Sequence, residues 1–234
     1  MKKKSKIIMF ICICSLSVIL IFYFKFGLIN PTIPTNPVNN NFIYNPQYRQ
    51  QEKLSNALKP KNEYIIFLGD SLTSRGKWKY RFPSIKAVNK GIGGNTTADI
   101  LARLNKIIIL NPKKIFLMVG ANDLTKNVKK STTINNYEVI IKILKNKIPN
   151  TQIYIQSVLP MNSKLMKVSN QDILILNHEI KKLADKYKIY YININSYLIE
   201  DNQLPTRYSV DGIHLNDKGY KVWVNIIKKY INWK

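Results

Sequence analysis

A three-layer α/β/α sandwich around a mainly parallel, five-stranded sheet is the fold class this chain predicts. Three observations carry it. Apolar runs of strand length recur and end abruptly at glycine and polar residues, as strands buried on both faces do. Between them lie segments with helical spacing, and this alternation of strand and helix signals belongs to a parallel sheet covered on both sides. Roughly 190 residues follow a Pro/Asn-rich stretch, the size of one domain, and they contain no internal repeat.

The N-terminus reads as a membrane segment. Lys2, Lys3, Lys4 and Lys6 precede an uncharged apolar run from Ile7 to Phe24. A helix of that length at ~1.5 Å per residue spans about 27 Å, close to the ~30 Å hydrocarbon core. The following Phe24-Lys25-Phe26-Gly27-Leu28-Ile29-Asn30 offers no small-residue cleavage site of the Ala-x-Ala kind. Residues 1–6 are therefore expected to be a cytoplasmic basic end and residues 7–29 an uncleaved signal-anchor transmembrane helix. Lysines hold that end in the cytoplasm, so the protein is expected in the cell membrane as a single-pass chain with its domain outside. Cys12 and Cys14 fall inside the span, each after an isoleucine, which does not suit a lipoprotein cleavage site. The exported part has no cysteine and must hold its core without a disulfide. Residues 30–41, from Asn30-Pro31-Thr32 to Asn39-Asn40-Asn41, have no period and suit an extended stalk. Residues 42–234 form the expected domain.

Within the domain, Phe42 to Leu58 has the spacing of an amphipathic leading helix. Strands are predicted over Tyr64–Leu68, Ala87–Asn89, Ile115–Val119, Ile153–Ser157 and Tyr190–Ile194. Helices are predicted over Thr97–Leu110, Ile134–Ile148, Gln171–Tyr187 and Asp217–Tyr230. The strand Ile65-Ile66-Phe67-Leu68 ends in Gly69-Asp70-Ser71-Leu72, and the carboxyl ends of strands are where open α/β sheets place ligands. Gly-Asp-Ser alone is also an ordinary turn; its meaning comes from three further segments. Asn89-Lys90-Gly91-Ile92-Gly93-Gly94-Asn95-Thr96-Thr97 is a glycine-rich turn feeding a helix, with backbone N–H groups suited to an anion. Ile115 to Gly120 delivers Ala121-Asn122-Asp123 at a strand end, and Asp211-Gly212-Ile213-His214 sets a carboxylate three residues before an imidazole. Together they offer a hydroxyl nucleophile, a base, a carboxylate to orient it and amide donors for an oxyanion. The chain has two histidines. His178 lies in a helical stretch and reads as a surface residue, so His214 is the base.

These blocks, in this order from about Tyr64 to Trp223, resemble the GDSL or SGNH hydrolase family. Gly69-Asp70-Ser71-Leu72 matches its first block, Gly91 to Gly94 the second, Gly120-Ala121-Asn122-Asp123 the third and Asp211 to His214 the last. Leu101-Ala102-Arg103-Leu104, Asn111-Pro112-Lys113-Lys114 and the segment from His214 to Tyr220 are also similar. Asn95 departs from the pattern, since many relatives with this second block carry Asp there, and is expected to affect loop packing or substrate fit. The resemblance implies a flavodoxin-like sheet and serine esterase chemistry of the lipase, acylhydrolase or platelet-activating-factor acetylhydrolase kind. It assigns Ser71 as nucleophile, His214 as base and Asp211 as its orienting carboxylate. It places the oxyanion between the backbone N–H groups of Ser71 and Gly94 and the side-chain amide of Asn122.

Other chemistries fit less well. Thr73 stands where Gly-x-Ser-x-Gly needs its second glycine, so the α/β-hydrolase elbow is not matched. No zinc-ligand spacing exists, and no Gly-Lys-Ser/Thr or Gly-x-Gly-x-x-Gly phosphate loop, so no metal and no cofactor is expected. Asn95-Thr96-Thr97 is formally a glycosylation sequon, read as incidental because it sits in the oxyanion loop. The sequence has 37 basic and 13 acidic residues. Five of the lysines and none of the acids lie at or before Lys25, so the exported part keeps 32 − 13 = +19. Such charge attracts anionic lipid or wall polymers, although lysine is abundant throughout and compositional drift accounts for it more simply. No nucleic-acid motif appears, so no nucleic-acid partner is expected.

Three functions are compatible with this reading: a membrane-tethered esterase acting on acetyl or short acyl esters of small molecules, lipids or cell-surface glycans; an O-acyltransferase using the same site; and a non-catalytic surface-binding domain. Specificity is expected from loops such as Thr73–Phe82 and Met161–Asn170; Arg75, Trp78 and Tyr208 are candidates for either the pocket or the core.

Overall fold

The computed structural model describes residues 58–162 and 168–231, with isolated helical positions at Pro46, Arg49 and Lys53. The expected anchor, the stalk and the body of the leading helix lie outside the described residues. Among these residues no helix is long and apolar enough to cross a membrane.

The apolar runs form the sheet. Strands β1 (Tyr64–Gly69), β2 (Lys86–Gly91), β3 (Lys114–Met118), β4 (Gln152–Gln156) and β5 (Tyr190–Ile192) lie in the order β2-β1-β3-β4-β5, every pair parallel. The helices between them are α1 (Ser71–Ser74), α2 (Trp78–Arg81), α3 (Thr97–Ala102), α4 (Leu104–Ile108), α5 (Ala121–Thr125), α6 (Lys130–Lys147), α7 (Asn170–Tyr187) and α8 (Asp217–Ile231). This is the expected three-layer sandwich with a flavodoxin-like strand order. The order in which strands are added reverses between β1 and β3, which opens a crevice at their carboxyl ends.

Alternation along the strands divides the core. Ile65, Phe67, Phe116, Met118, Tyr154 and Ile192 pack with Trp78, Trp223 and Ile227 on one face. Ile66, Leu68, Ile115, Leu117, Ile153 and Ile155, on the alternate positions, are equally buried. The register sets Phe67 beside Phe116, Phe116 beside Tyr154 and Tyr154 beside Tyr190. Their rings stack across the sheet at 5.3, 4.7 and 4.6 Å. Such pairs add about 0.5–1.5 kcal/mol each beyond their burial. Lys114, at the start of β3, is buried, yet its ammonium donates to the Tyr230 and Ile231 carbonyls at 2.6 and 3.2 Å. It thereby satisfies carbonyls left open at the end of α8.

Several boundaries differ from expectation for physical reasons. The helix predicted over Thr97–Leu110 is two helices joined at Arg103, whose φ of −110° and ψ of 8° leave the helical basin. Its guanidinium turns inward, as described below. The predicted Tyr190–Ile194 strand stops at Ile192, because the Ser157 hydroxyl accepts the N–H groups of Ile194 and Asn195 and draws the chain into a 3₁₀ turn. The segment Thr73–Phe82, expected as a loop, holds the end of α1 and all of α2. Trp78 does not line the cleft that holds Ser71 and His214: it is 1% exposed, stacks on Phe67 at 4.1 Å and donates its indole N–H to the Thr73 carbonyl at 2.7 Å.

Candidate active site

The site gathers at the crevice from four connections. Strand β1 ends at Gly69, and Asp70 caps α1 by accepting the Leu72 N–H at 3.0 Å. This one-turn helix begins with Ser71. Gly69 has no alternative there, since a Cβ would come within 2.2 Å of the Met118 carbonyl. Strand β2 leads into the glycine turn, where Gly94 has φ +78°, a region open to glycine at little cost. Thr96 then begins α3 with a capping box: it accepts the Asp99 N–H and donates its own N–H to Asp99 Oδ2. Strand β3 leads to Gly120, which starts α5 and sets out Asn122.

The fourth connection carries the imidazole. Residues 209–214 fold into a turn organised by Ser209, whose hydroxyl accepts the Gly212 N–H at 2.7 Å and donates to the His214 carbonyl at 3.0 Å. Gly212 takes φ +87° within it, so the expected Asp-Gly turn is present. Asp211 Oδ1 accepts the Ile213 and His214 N–H groups at 3.0 and 2.7 Å. Its Oδ2 lies 2.6 Å from His214 Nδ1, and His214 Nε2 lies 2.9 Å from Ser71 Oγ. The structure thus joins Ser71, His214 and Asp211 in one hydrogen-bonded chain, with Ser71 and His214 separated by 143 positions. His178, by contrast, is an exposed residue of α7.

The charge state of that chain follows from its bonds. Burial pushes the Asp211 carboxyl up, but the His214 ring and the His214 and Ile213 N–H groups outweigh it and hold the carboxyl down at about 2. Asp211 is therefore ionised and can only accept, which makes His214 Nδ1 the donor and leaves Nε2 free to accept the Ser71 hydroxyl proton.

The remaining predicted residues face the same cleft. Ser71 and Gly94, Asn122 and His214 all line it. As the first residue of α1, Ser71 has no acceptor for its N–H inside the helix. The Asn122 amide donates one N–H to the Asn95 carbonyl at 2.9 Å, which leaves the second for the cleft. Arg75 and Thr125 complete the polar wall, and Leu72, Ala121, Met161 and Ile213 the apolar one. The cleft holds about 280 Å³. Tyr208 is not among the lining residues; its ring lies under the Arg207 guanidinium at 4.7 Å. Of the second expected specificity segment, Met161 reaches the cleft, while residues 163–167 lie outside the described residues.

Three supports escaped the reading of the sequence. Arg103, 4% exposed, donates to Asn95 Oδ1 at 2.9 Å and to the Gly69 and Lys90 carbonyls at 3.0 and 2.9 Å. It binds together the ends of β1 and β2 and the glycine turn. Asn95 thus acts in loop packing. The available signal was a cation inside the apolar period Ile100, Leu101, Leu104, Ile107. Asp123, 1% exposed, accepts the Thr97 N–H at 3.0 Å and the Thr97 hydroxyl at 2.5 Å, tying α5 to α3. Tyr220 of α8 donates its hydroxyl to the Leu72 carbonyl at 2.6 Å, linking the helix after His214 to the one that begins with Ser71.

A family model for the GDSL-like Lipase/Acylhydrolase family matches residues 67–222, more than half of the chain. This chain belongs to that family. It is an ester hydrolase by that membership, which its relatives reinforce. It is 25% identical over 172 residues to the rat (Rattus norvegicus) platelet-activating factor acetylhydrolase IB subunit alpha2, covering 69% of this chain and 73% of that one. Among solved structures it superposes with TM-score 0.73 on a Streptococcus pneumonia protein described as a candidate platelet activating factor, at 29% identity, over 82% of this chain and 95% of that one. A candidate acylhydrolase from Bacteroides fragilis gives TM-score 0.71 at 25% identity, over 79% and 95%.

Proposed function

We propose that this GDSL-family hydrolase is a membrane-tethered serine esterase that removes acetyl or short acyl groups from lipids or cell-surface glycans. The single observation that carries the chemistry is the chain Ser71 Oγ, His214 Nε2, His214 Nδ1, Asp211 Oδ2, with contacts of 2.9 and 2.6 Å. Ser71 Oγ attacks the ester carbonyl while its proton passes to His214 Nε2. The tetrahedral oxyanion takes hydrogen bonds from the Ser71 and Gly94 N–H groups and the free N–H of Asn122. As the intermediate collapses, the ester C–O bond breaks and the leaving alcohol takes the proton from Nε2. A water then repeats the sequence on the acyl-serine, releasing the acid and restoring Ser71. Throughout, Nδ1–H stays on Asp211, which stabilises the imidazolium without taking its proton.

The size of the cleft supports small acyl groups: about 280 Å³ falls just under the ~300–1,000 Å³ of drug-sized sites. The acetylhydrolase relative supports the same choice. A binding-only role would not require the nucleophile, base and donors to be aligned together. Tethering rests on the uncharged run from Ile7 to Phe24 behind its four lysines, and it places the domain outside the cell membrane.

The test uses full-length protein in non-ionic detergent, assayed on p-nitrophenyl esters of increasing chain length, with a fluorophosphonate probe to mark the nucleophile. Acetyl to butyryl esters should be preferred and labelling confined to Ser71. Labelling elsewhere, or undiminished turnover in Ser71→Ala, overturns the serine-esterase reading. For the tether, detergent but not high salt should extract the chain from membranes; a purified N-terminus beginning after Gly27 would show a cleaved signal instead.

A further inference from the structure

One cation in the cleft is not used by the chemistry above. Arg75 follows Ser71 by four positions and donates its backbone N–H to the Ser71 carbonyl at 3.0 Å, so its side chain stands on the same face of that turn, where residues four apart are neighbours. It is exposed and lines the cleft beside Ser71 and His214. Among the described residues its guanidinium has no hydrogen-bond or ion-pair partner, whereas Arg81 and Arg103 are both engaged by protein acceptors. The nearby carboxylates are not available to it. Asp70 is 2% exposed and caps α1, and Asp211 is occupied by His214 and two backbone N–H groups. A second cation borders the same opening: Lys126 follows the cleft residue Thr125 and donates to the carbonyl of Gly94 at 2.9 Å. The cleft therefore presents, beside Ser71, a planar, multiply donating guanidinium that no described acceptor holds, with a second cation at its border.

From this we infer that Arg75 selects esters that carry a carboxylate or phosphate close to the ester bond, held by the guanidinium while Ser71 attacks. The inference rests on the esterase reading and adds the charge of the substrate to it. A guanidinium fork matches either anion in a bidentate way that an ammonium cannot. Because the site is open to water, the effect should weaken with ionic strength.

Four esters separate the possibilities: neutral phenyl acetate, 4-acetoxybenzoate with a carboxylate on the alcohol side, phenyl hydrogen succinate with one on the acyl side, and 4-acetoxyphenyl phosphate. The readout is the ratio of kcat/KM for each anionic ester to that for phenyl acetate, with full-length protein in non-ionic detergent. At least one ratio should reach about tenfold, the worth of one charge-assisted hydrogen bond, and shrink in ~0.5 M salt. Arg75→Gln should bring it near one through KM, and Arg75→Lys should retain part of it. Lys79→Gln, which removes an exposed charge outside the cleft, should leave the ratio in place. Ratios at or below one for all three anionic esters, or a preference that survives Arg75→Gln, overturn the inference while leaving the esterase intact. No turnover of any ester, with Ser71 unlabelled by the fluorophosphonate, overturns the esterase reading and this inference together.

Discussion

Asn122 donates an amide hydrogen to the backbone carbonyl of Asn95 at 2.9 Å, and this bond joins the two loops that would supply the oxyanion donors. The Asn95 side chain is held in turn by Arg103, which also holds the ends of β1 and β2. A donor fixed before the reaction needs no reorganisation when charge develops, which is what makes such groups effective. The consequences can be measured.

Asn122→Ala should lower kcat by roughly 10²–10³ with little change in KM, because the interaction strengthens only in the transition state. Steady-state kinetics on a p-nitrophenyl ester reads this directly. A rise confined to KM would make Asn122 a substrate-positioning residue instead.

Ser71→Ala and His214→Ala should be equally damaging, since no second histidine approaches Ser71; His178 is on the surface of α7. Asp211→Asn should leave measurable activity. The turn that carries His214 is also organised by Ser209 and Gly212, so the ring keeps its place while losing the acceptor that selects its tautomer. The three variants compared in one burst-kinetics series decide this ordering. Equal loss in all three would mean that orientation depends on the carboxylate alone.

Asp70 links the site to stability. Its carboxyl is pushed up from 3.8 to about 7, chiefly by burial and against the bond from the Leu72 N–H, with the buried Asp123 carboxylate adding to the rise. Below 3.8 the group is neutral in folded and unfolded chains alike. Between there and about 7 the unfolded chain has released its proton while the folded one retains it, so stability falls as pH rises; above 7 the loss is complete. Asp123, also raised by burial, acts in the same direction. Asp70→Asn keeps an oxygen to cap α1 and should flatten the fall, making the variant more stable than the parent at pH 8 by on the order of 2 kcal/mol. Denaturant unfolding at pH 5 and pH 8 tests it; parallel pH curves for parent and variant would rule out a burial penalty at Asp70.

Tyr220→Phe removes the hydroxyl that holds the Leu72 carbonyl and keeps the ring stacked on Trp223 at 5.8 Å. The loss should cost about 1 kcal/mol of stability. Because the bond spans the helices adjoining Ser71 and His214, kcat should fall severalfold more than KM rises. Unchanged kcat with lowered stability would limit Tyr220 to the core.

Much of this was legible in the chain because its cause is local. Strands buried on both faces must be continuous apolar runs, so Ile65 to Leu68 and Ile115 to Met118 announce themselves, and the turns at their ends must use Gly69, where a side chain would strike the Met118 carbonyl, and Gly120, whose φ of +123° disfavours any side chain. Ser71, Gly94 and Asn122 follow the ends of β1, β2 and β3, and parallel strands place such ends together; Asp211 and His214 come from the long connection between β5 and α8. What the sequence could not state was which side chains cross between elements. Trp78 carries the same letter whether it lines a cleft or stacks on Phe67, and only the packing of α2 on the sheet decided for the core. Arg103 interrupts a helix that its spacing alone would continue, because three acceptors from β1, β2 and the glycine turn converge where its guanidinium falls. Arg75 is proposed as a substrate-facing cation because it lines the cleft and, among the described residues, no acceptor holds its guanidinium. Local propensity and pattern are properties of neighbours in the chain; the partners of a buried or charged side chain are brought by distant segments, and only the tertiary structure supplies them.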